Sequence, residues 1–363
     1  MRRRWELRIN IVRPTLDNKD DFSFEAFVMK NAQLELSNHN RMFGFELSNH
    51  SRLKRYPELK FEEGQRTGPT NTSTVHSSID SIMSLVYLVT GANKGIGYEA
   101  VRLLSERLGA KAIVLLGTRS LENGQCAIAA MQQANPKFNY KNVHPIEIDV
   151  SKPSSIQAAA AEVRSTYGSL HVLVNNAGIS GHKEGPEMCF QVNVHGVHDA
   201  LVAFEPLMIP NQSINVVVAS EVGAWTCAAL SPKLQATFAN FGTLDHNHLT
   251  ALAQDWLHFA RHETSDHEWP DVASTYGPYG ISKTLVIAQT RKWAVDHPTI
   301  KTVIVCPGYC ATDLNNHSGF RSATQGGDSI VFPIFHPEVT QTGGFYRDGV
   351  VHSFNTPRPT ELH

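Results

Sequence analysis

From residue 84 onward, short runs of consecutive apolar residues alternate with longer stretches in which apolar residues recur every three or four positions. The short runs are Leu85–Val89, Ala112–Leu116, Val143–Ile148, Leu170–Val174, Ile214–Ala219 and Thr302–Cys306. They are apolar at nearly every position, as strands are when both sheet faces are covered. Helical periodicity fills 98–108, 120–133, 153–167, 187–208 and 277–295, and a weaker strand is predicted near Gly344–Val350. This alternation predicts an α/β fold with a doubly wound parallel sheet. Residues 221–276 break the rhythm and read as an insertion. Within it Leu249, Leu252, Trp256 and Phe259 recur at three- and four-residue steps, which predicts a helix with one apolar face.

Residues 1–82 read differently. "ELSNHNRM" at 35–42 recurs as "ELSNHSRL" at 46–53, and two copies are too few for a solenoid. The start, "MRRRWELRINIVRP", is basic but soon followed by acidic residues, and it has no long apolar core. It matches neither a transit peptide nor a secretory signal. "EEGQRTGPTNTSTVHSS" is a polar linker. The expected organisation is a poorly ordered extension over 1–82, one domain over 83–352 that includes the insertion 221–276, and a tail over 353–363. Met83 is a candidate functional start, because "MSLVYLVTGANKG" would set the first strand at an N-terminus.

Hydrophobic residues make up 41% and charged residues 18% of the 363, enough for a packed core. The net charge of −2 offers no electrostatic case for nucleic acid. No apolar run reaches the roughly 18 residues of a membrane span. The cysteines at 126, 189, 227, 306 and 310 form no CxxC pair and are odd in number. They predict free thiols in a reducing compartment, hence a cytoplasmic protein, and make sequons such as Asn71-Thr72-Ser73 chance matches. Histidines are numerous, at 18. Yet His246 and His248 would face different sides of a helix and no HExxH occurs, so surface histidines are expected and no metal site.

The first strand runs into "TGANKGIG". A glycine-rich turn between a strand and a helix lets backbone approach a ligand, while the helix N-terminus offers free N–H groups and partial positive charge. The spacing is TGxxxGxG rather than GxGxxG. Three further stretches accompany it: "VNNAG" at 174–178, "YGISK" at 279–283 and "CPGYCATD" at 306–313. In this order and spacing they resemble the short-chain dehydrogenase/reductase family, over about residues 84–351. "TGANKGIG" and the long gap between Ser220 and Tyr279 resemble its carbonyl-reductase branch. The resemblance implies a Rossmann-type sheet in a single domain with a helical insertion. It also implies a monomer, because such an insertion covers the surface through which other members dimerise.

Tyr279 and Lys283 lie four apart on a predicted helix and share a face. An ammonium about 4 Å from a phenol, at an effective dielectric of about 20, contributes roughly 4 kcal/mol, enough to bring the phenol toward neutrality. By resemblance Tyr279 is the general acid, and Lys283 lowers its pKa and holds the nicotinamide ribose. Ser220, ending "INVVVAS", orients the substrate oxygen, and Asn193 positions a water. Tyr276 lies nearby but has no lysine four positions on. Ser231 and Ser274 compete with Ser220.

The second strand ends "LLGTRS", without the acidic residue that would accept bonds from an NAD ribose. Arg119 can grip a 2′-phosphate with two bonds, and Lys94 adds a second cation. Both match the NADP-preferring pattern of the family. The resemblance also places Gly91, Asn93, Gly95, Ile96, Gly97, Asp149, Val150, Asn176, Ala177, Gly178, Pro307, Gly308 and Thr312 along the cofactor, with Asn175 bracing the sheet. Cys306 and Cys310, beside that last loop, are expected to be buried and inert. The expected activity is NADPH-dependent reduction of a ketone or aldehyde, or the reverse alcohol oxidation, on a small-molecule substrate. The alternative is a non-catalytic dinucleotide-binding redox sensor or scaffold, which would have no need of all four catalytic residue types.

Overall fold

The computed structural model describes residues 85–360; the predicted extension 1–82, the candidate start Met83 and the last residues of the tail lie outside them. The chain opens with β1 (Leu85–Val89) and α1 (Gly95–Leu108). Then come β2 (Ala112–Thr118), α2 (Leu121–Ala134), β3 (Val143–Glu147), α3 (Pro153–Tyr167) and β4 (Val172–Asn175). Next are α4 (Pro186–Phe190), a π-turn at Gln191–His195, and α5 (Gly196–Phe204). β5 (Ile214–Val218) leads into α6 (Glu221–Ala229), α7 (Pro232–Ala239) and α8 (His246–Ala260). The remaining elements are α9 (Gly277–Asp296), β6 (Lys301–Val305), α10 (Ala323–Phe335), β7 (Phe345–Arg347) and β8 (Val350–Val351).

The strands form one sheet in the order β3-β2-β1-β4-β5-β6-β7-β8, parallel except for the final β7–β8 pair. The winding reverses between β1 and β4, and in such sheets a ligand crevice opens at that point, beyond the strands' carboxyl ends. β5 is buried at every position, which explains its uninterrupted apolar sequence. A core containing Ile156, Val163, Leu173, Phe204, Val217 and Ile304 joins sheet and helices.

A second core belongs to the insertion. Leu234, Phe238, Leu249, Leu252 and Trp256 pack against Phe190 of α4 and Ile281 and Leu285 of α9. Trp256 is 1% exposed and meets Phe190 edge-on at 5.5 Å. The apolar stripe of α8 therefore packs on its own domain. The insertion holds three helices where the sequence predicts one.

Two other elements depart from expectation. The helix predicted over 187–208 runs unbroken through Phe204 but carries a π-turn, which separates α4 from α5. The strand predicted near Gly344–Val350 is a hairpin, because Asp348 (φ 51) and Gly349 (φ 78) turn the chain back on itself.

Candidate functional site

The crevice is floored by the turn after β1. α1 starts at Gly95, and its N-cap residue, Lys94, makes no side-chain capping bond, so the first-turn amides are left to a ligand. The cradle is tight. A Cβ on Gly97 would lie 2.3 Å from the Asn176 amide nitrogen, and one on Gly91 2.8 Å from Ala177 Cα. Asn176 Nδ2 donates to the carbonyls of Thr90 (2.8 Å) and Gly91 (3.1 Å), tying the β4 edge to the turn. Thr90 Oγ1 accepts from the amides of Asn176 (3.0 Å) and Ala177 (3.1 Å). Asn175 points instead into the sheet, donating to Asn215 Oδ1 at 3.1 Å.

Arg119, just past β2, is exposed and has no ion pair among the described residues. Lys94 is not free: its Nζ lies 2.7 Å from Asp313 Oδ2, an exposed pair joining the glycine turn to the loop after β6. Thr312 precedes Asp313, is 8% exposed, and lies near Gly95. Gly308 turns this loop with φ 79. Asn93 is partly exposed within the turn, and Ile96 touches the Gly326 region of α10. Asp149 is occupied locally: burial opposes its charge, but Ser151 N (3.1 Å), Ser151 Oγ (2.7 Å) and Lys152 hold its carboxyl below the usual range. Val150 is buried beside Gly196.

Ser220 caps α6, its Oγ accepting from Val222 N at 3.2 Å, and its hydroxyl partly offsets the effect of burial on the Tyr279 phenol. Ser231 and Ser274 have no such effect on the phenol. Tyr279 stands in the first turn of α9, and Lys283 one turn further places its Nζ 5.7 Å from the Tyr279 ring centre. Lys283 is 6% exposed, and its Nζ donates to Val218 O at the end of β5 (2.9 Å). Burial pulls the Lys283 ammonium down to about 8. Tyr276 takes a left-handed conformation (φ 58) before α9, its ring 6.1 Å from that of Trp225.

One expectation is reversed. The Tyr279 phenol is raised, not lowered toward neutrality: burial dominates, and the Ser220 bond offsets it only in part. Lys283 directs its charge at the Val218 carbonyl and is itself weakened by the same dry surroundings. At neutral pH the phenol is thus firmly protonated.

Asn193 sits in the π-turn, 1% exposed. Its Nδ2 donates to Ile179 O (2.9 Å) and Ser282 Oγ (3.0 Å), and its Oδ1 accepts from Ile179 N (2.9 Å). It therefore clamps the segment after β4 onto α9, with Gly178 between its amide and Lys283 Nζ.

Several contributors escaped the sequence. Cys306, pushed up to about 11 by burial, accepts from the amides of Glu221 (3.3 Å) and Gly308 (3.4 Å). Glu221, next to Ser220, pairs with Arg347 at 2.9 Å, anchoring the β7–β8 hairpin under the site. Cys189 takes a bond from Asn193 at 3.4 Å. These partners are distant in sequence, and only the adjacency of Glu221 to Ser220 could have signalled one of them.

The dinucleotide expected from the sequence fits these residues: a turn too tight for a Cβ at Gly91 and Gly97, uncapped helix amides, and an exposed guanidinium at the end of β2.

The family described as short chain dehydrogenase matches residues 85–232. The NADPH carbonyl reductase 3 of Rattus norvegicus is 31% identical over 292 residues, which cover 76% of this chain and 100% of that protein. The (+)-neomenthol dehydrogenase of Capsicum annuum is 27% identical over 305 residues, covering 71% of this chain and 94% of its own. Among solved structures, salutaridine reductase from Papaver somniferum shares the fold with a TM-score of 0.63 at 24% identity, covering 72% of this chain and 99% of that one.

Proposed function

Since the chain belongs to the short-chain dehydrogenase family, on its carbonyl-reductase-like branch, we propose that it reduces a ketone or aldehyde with NADPH, using Tyr279 as the proton donor. The family makes it an oxidoreductase of carbonyl or alcohol groups that uses a nicotinamide dinucleotide. The finer reading rests on one observation above all: Tyr279 and Lys283 stand one helical turn apart on α9, the Lys283 ammonium 5.7 Å from the Tyr279 ring centre, with Ser220 following β5 at the carboxyl edge of the sheet.

Each residue then has a task. Ser220 donates to the substrate oxygen and fixes the carbonyl beside the phenol. A nicotinamide dinucleotide held in the crevice would supply the hydride that the carbonyl carbon accepts. Tyr279 gives its proton to the oxygen as negative charge develops there, so the products are the alcohol and the oxidised dinucleotide. A phenol raised by burial is well suited to this direction, because it is fully protonated when needed. The phenolate left behind is stabilised by the Lys283 ammonium. Lys283 would also hold the nicotinamide ribose. Asn193 is a positioning residue, with one lone pair of Oδ1 left for a water that refills the proton. The same groups run alcohol oxidation in reverse.

Gly91, Asn93, Gly95, Ile96 and Gly97 hold the pyrophosphate against the α1 N-terminus. Arg119 takes the 2′-phosphate. Lys94, clasped to Asp313, ties the glycine turn to the loop that carries Pro307, Gly308 and Thr312, which would hold the nicotinamide. Asp149 and Val150 would hold the adenine end, and Asn176, Ala177 and Gly178 the stretch between adenine and nicotinamide. We place the catalytic domain at 83–352. Because α8 covers α4 and α9, the protein is a monomer. Its five unpaired cysteines suit the cytoplasm.

The test is NADPH consumption with a panel of carbonyl compounds, comparing the parent with Tyr279→Phe. Loss of the proton donor lowers kcat by ~10²–10⁴-fold, with dinucleotide affinity retained. Unchanged turnover in the variant removes Tyr279 from this role.

A further inference from the structure

Three residues separate Tyr279 from Lys283, and one of them, Ser282, is polar. It is 0% exposed, so its hydroxyl meets neither solvent nor substrate. A serine hydroxyl has one hydrogen to give and two lone pairs, and here all three are engaged. Ser282 Oγ donates to the Tyr279 carbonyl at 2.8 Å. It accepts from Asn193 Nδ2 at 3.0 Å and weakly from the Cys189 thiol at 3.7 Å. The bond to Tyr279 is local to α9, whereas the bond from Asn193 spans 89 positions of the chain.

These bonds form a continuous link. Ile179 N donates to Asn193 Oδ1 at 2.9 Å, Asn193 Nδ2 to Ser282 Oγ, and Ser282 Oγ to Tyr279 O. Its members come from the segment after β4, the π-turn and the first turn of α9. Asn193 Oδ1 keeps a second lone pair. That oxygen borders the space Gly178 leaves open: a Cβ there would lie 3.3 Å from Asn193 Oδ1, 3.8 Å from Lys283 Nζ and 3.9 Å from Asn176 O. Two acceptors and an ammonium around a space kept open by a glycine suit one water.

Given carbonyl reduction through Tyr279, on which this rests, we propose that Ser282 is a positioning residue: it locks the Asn193 amide to the Tyr279 main chain and so holds the water-binding oxygen in register with Lys283 and the phenol while a proton returns to the phenolate. The step follows the reduction. Once the alcohol has left, one proton is taken from solvent by way of the water beside Lys283, and one phenol O–H bond forms; nothing is oxidised or reduced. Removing the Ser282 hydroxyl strands no polar group. Asn193 Nδ2 keeps Ile179 O at 2.9 Å, and the Tyr279 carbonyl keeps its bond within the helix. The amide is only released from α9.

The experiment is steady-state turnover of the full-length protein with NADPH and a carbonyl compound it accepts, for the parent, Ser282→Ala, Asn193→Ala, the double variant and Tyr279→Phe. Ser282→Ala lowers kcat at least about tenfold, toward the roughly 10²-fold that a misplacement of about 1 Å can cost. Because the proton returns after the alcohol has left, kcat/KM stays within about twofold of the parent. The solvent isotope effect on kcat rises and the effect of deuterated NADPH falls, since proton return becomes the slow step. The double variant is no slower than Asn193→Ala alone, as expected when Ser282 acts through that amide. Ser282→Cys, similar in shape but a weak donor and acceptor, shows the same split, and it decides should Ser282→Ala fail to fold by circular dichroism. The proposal is overturned by equal falls in kcat and kcat/KM, by additive losses in the double variant, or by an unchanged kcat. Turnover that survives in Tyr279→Phe strikes the reduction mechanism itself, whereas turnover lost there but unaltered in Ser282→Ala strikes the role of Ser282 alone.

Discussion

Replacing Lys283 by methionine is expected to abolish turnover yet leave the protein at least as stable at neutral pH. The reason lies in where the ammonium sits. Burial pulls it from 10.5 down to about 8, so the folded protein holds that proton more weakly than the unfolded chain does. At about 1.4 kcal/mol per pH unit, the difference amounts to about 3 kcal/mol of stability surrendered. The sign follows directly. Above 10.5 both states carry a neutral lysine and nothing is lost. As the pH falls toward 8 the unfolded chain gains its proton first, and stability drops. Below 8 the full cost is in place. Methionine fills similar volume without the charge, but it strands the Val218 carbonyl that Lys283 now bonds at 2.9 Å, a penalty of about 1–3 kcal/mol. Urea titrations of parent and variant between pH 7 and pH 10.5, followed by tryptophan fluorescence, read the balance. The variant's advantage should shrink by about 3 kcal/mol as the pH rises from 8 to 10.5. A difference that stays flat, or grows over that window, would refute the idea that desolvation governs this ammonium.

Other outcomes are expected elsewhere. Arg119→Asp should weaken NADPH binding at least about tenfold more than NADH binding, since a guanidinium–phosphate pair becomes a repulsion; equal losses by fluorescence titration would remove Arg119 from cofactor selection. Gly97→Ala drives a Cβ to within 2.3 Å of the Asn176 amide, so a loss of about 1–3 kcal/mol in stability should accompany weaker dinucleotide binding by calorimetry. An unchanged Kd would mean the cradle has slack. Trp256→Ala empties the centre of the insertion core and should cost about 3–5 kcal/mol in urea unfolding. A smaller loss would show that α8 closes over the gap.

How far the sequence disclosed all this differed from element to element. The parallel strands were legible because each is buried on both faces, as the uniformly apolar β5 shows. The periodicity puts the start of α1 at residue 98 rather than Gly95, since Gly95 and Gly97 look like turn residues although the helix already runs through them. The π-turn at Gln191–His195 left no mark, because a surplus residue inside a helix alters neither composition nor local propensity. α6 and α7 were missed because both are short, although Ser231-Pro232 was an available start signal for α7. The hairpin after β7 was encoded by Asp348-Gly349 but read as one strand. Tyr279, Lys283 and Ser220 were locatable by motif, and the structure brings them together. Electrostatics were harder. Lys94 pairs with Asp313, 219 positions away, and Lys283 with a carbonyl, and neither contact leaves a trace in sequence spacing.

The bulge that carries Asn193 has a consequence for chain length. One surplus residue rotates everything after it by about 100° relative to a plain helix. Deleting a single position among 191–195 would therefore not derail the downstream face of α5, since a regular helix could simply resume. It would instead swing the amide away from Ile179 and Ser282. A one-codon loss here, unlike in most buried helices, should spare the architecture and silence the chemistry.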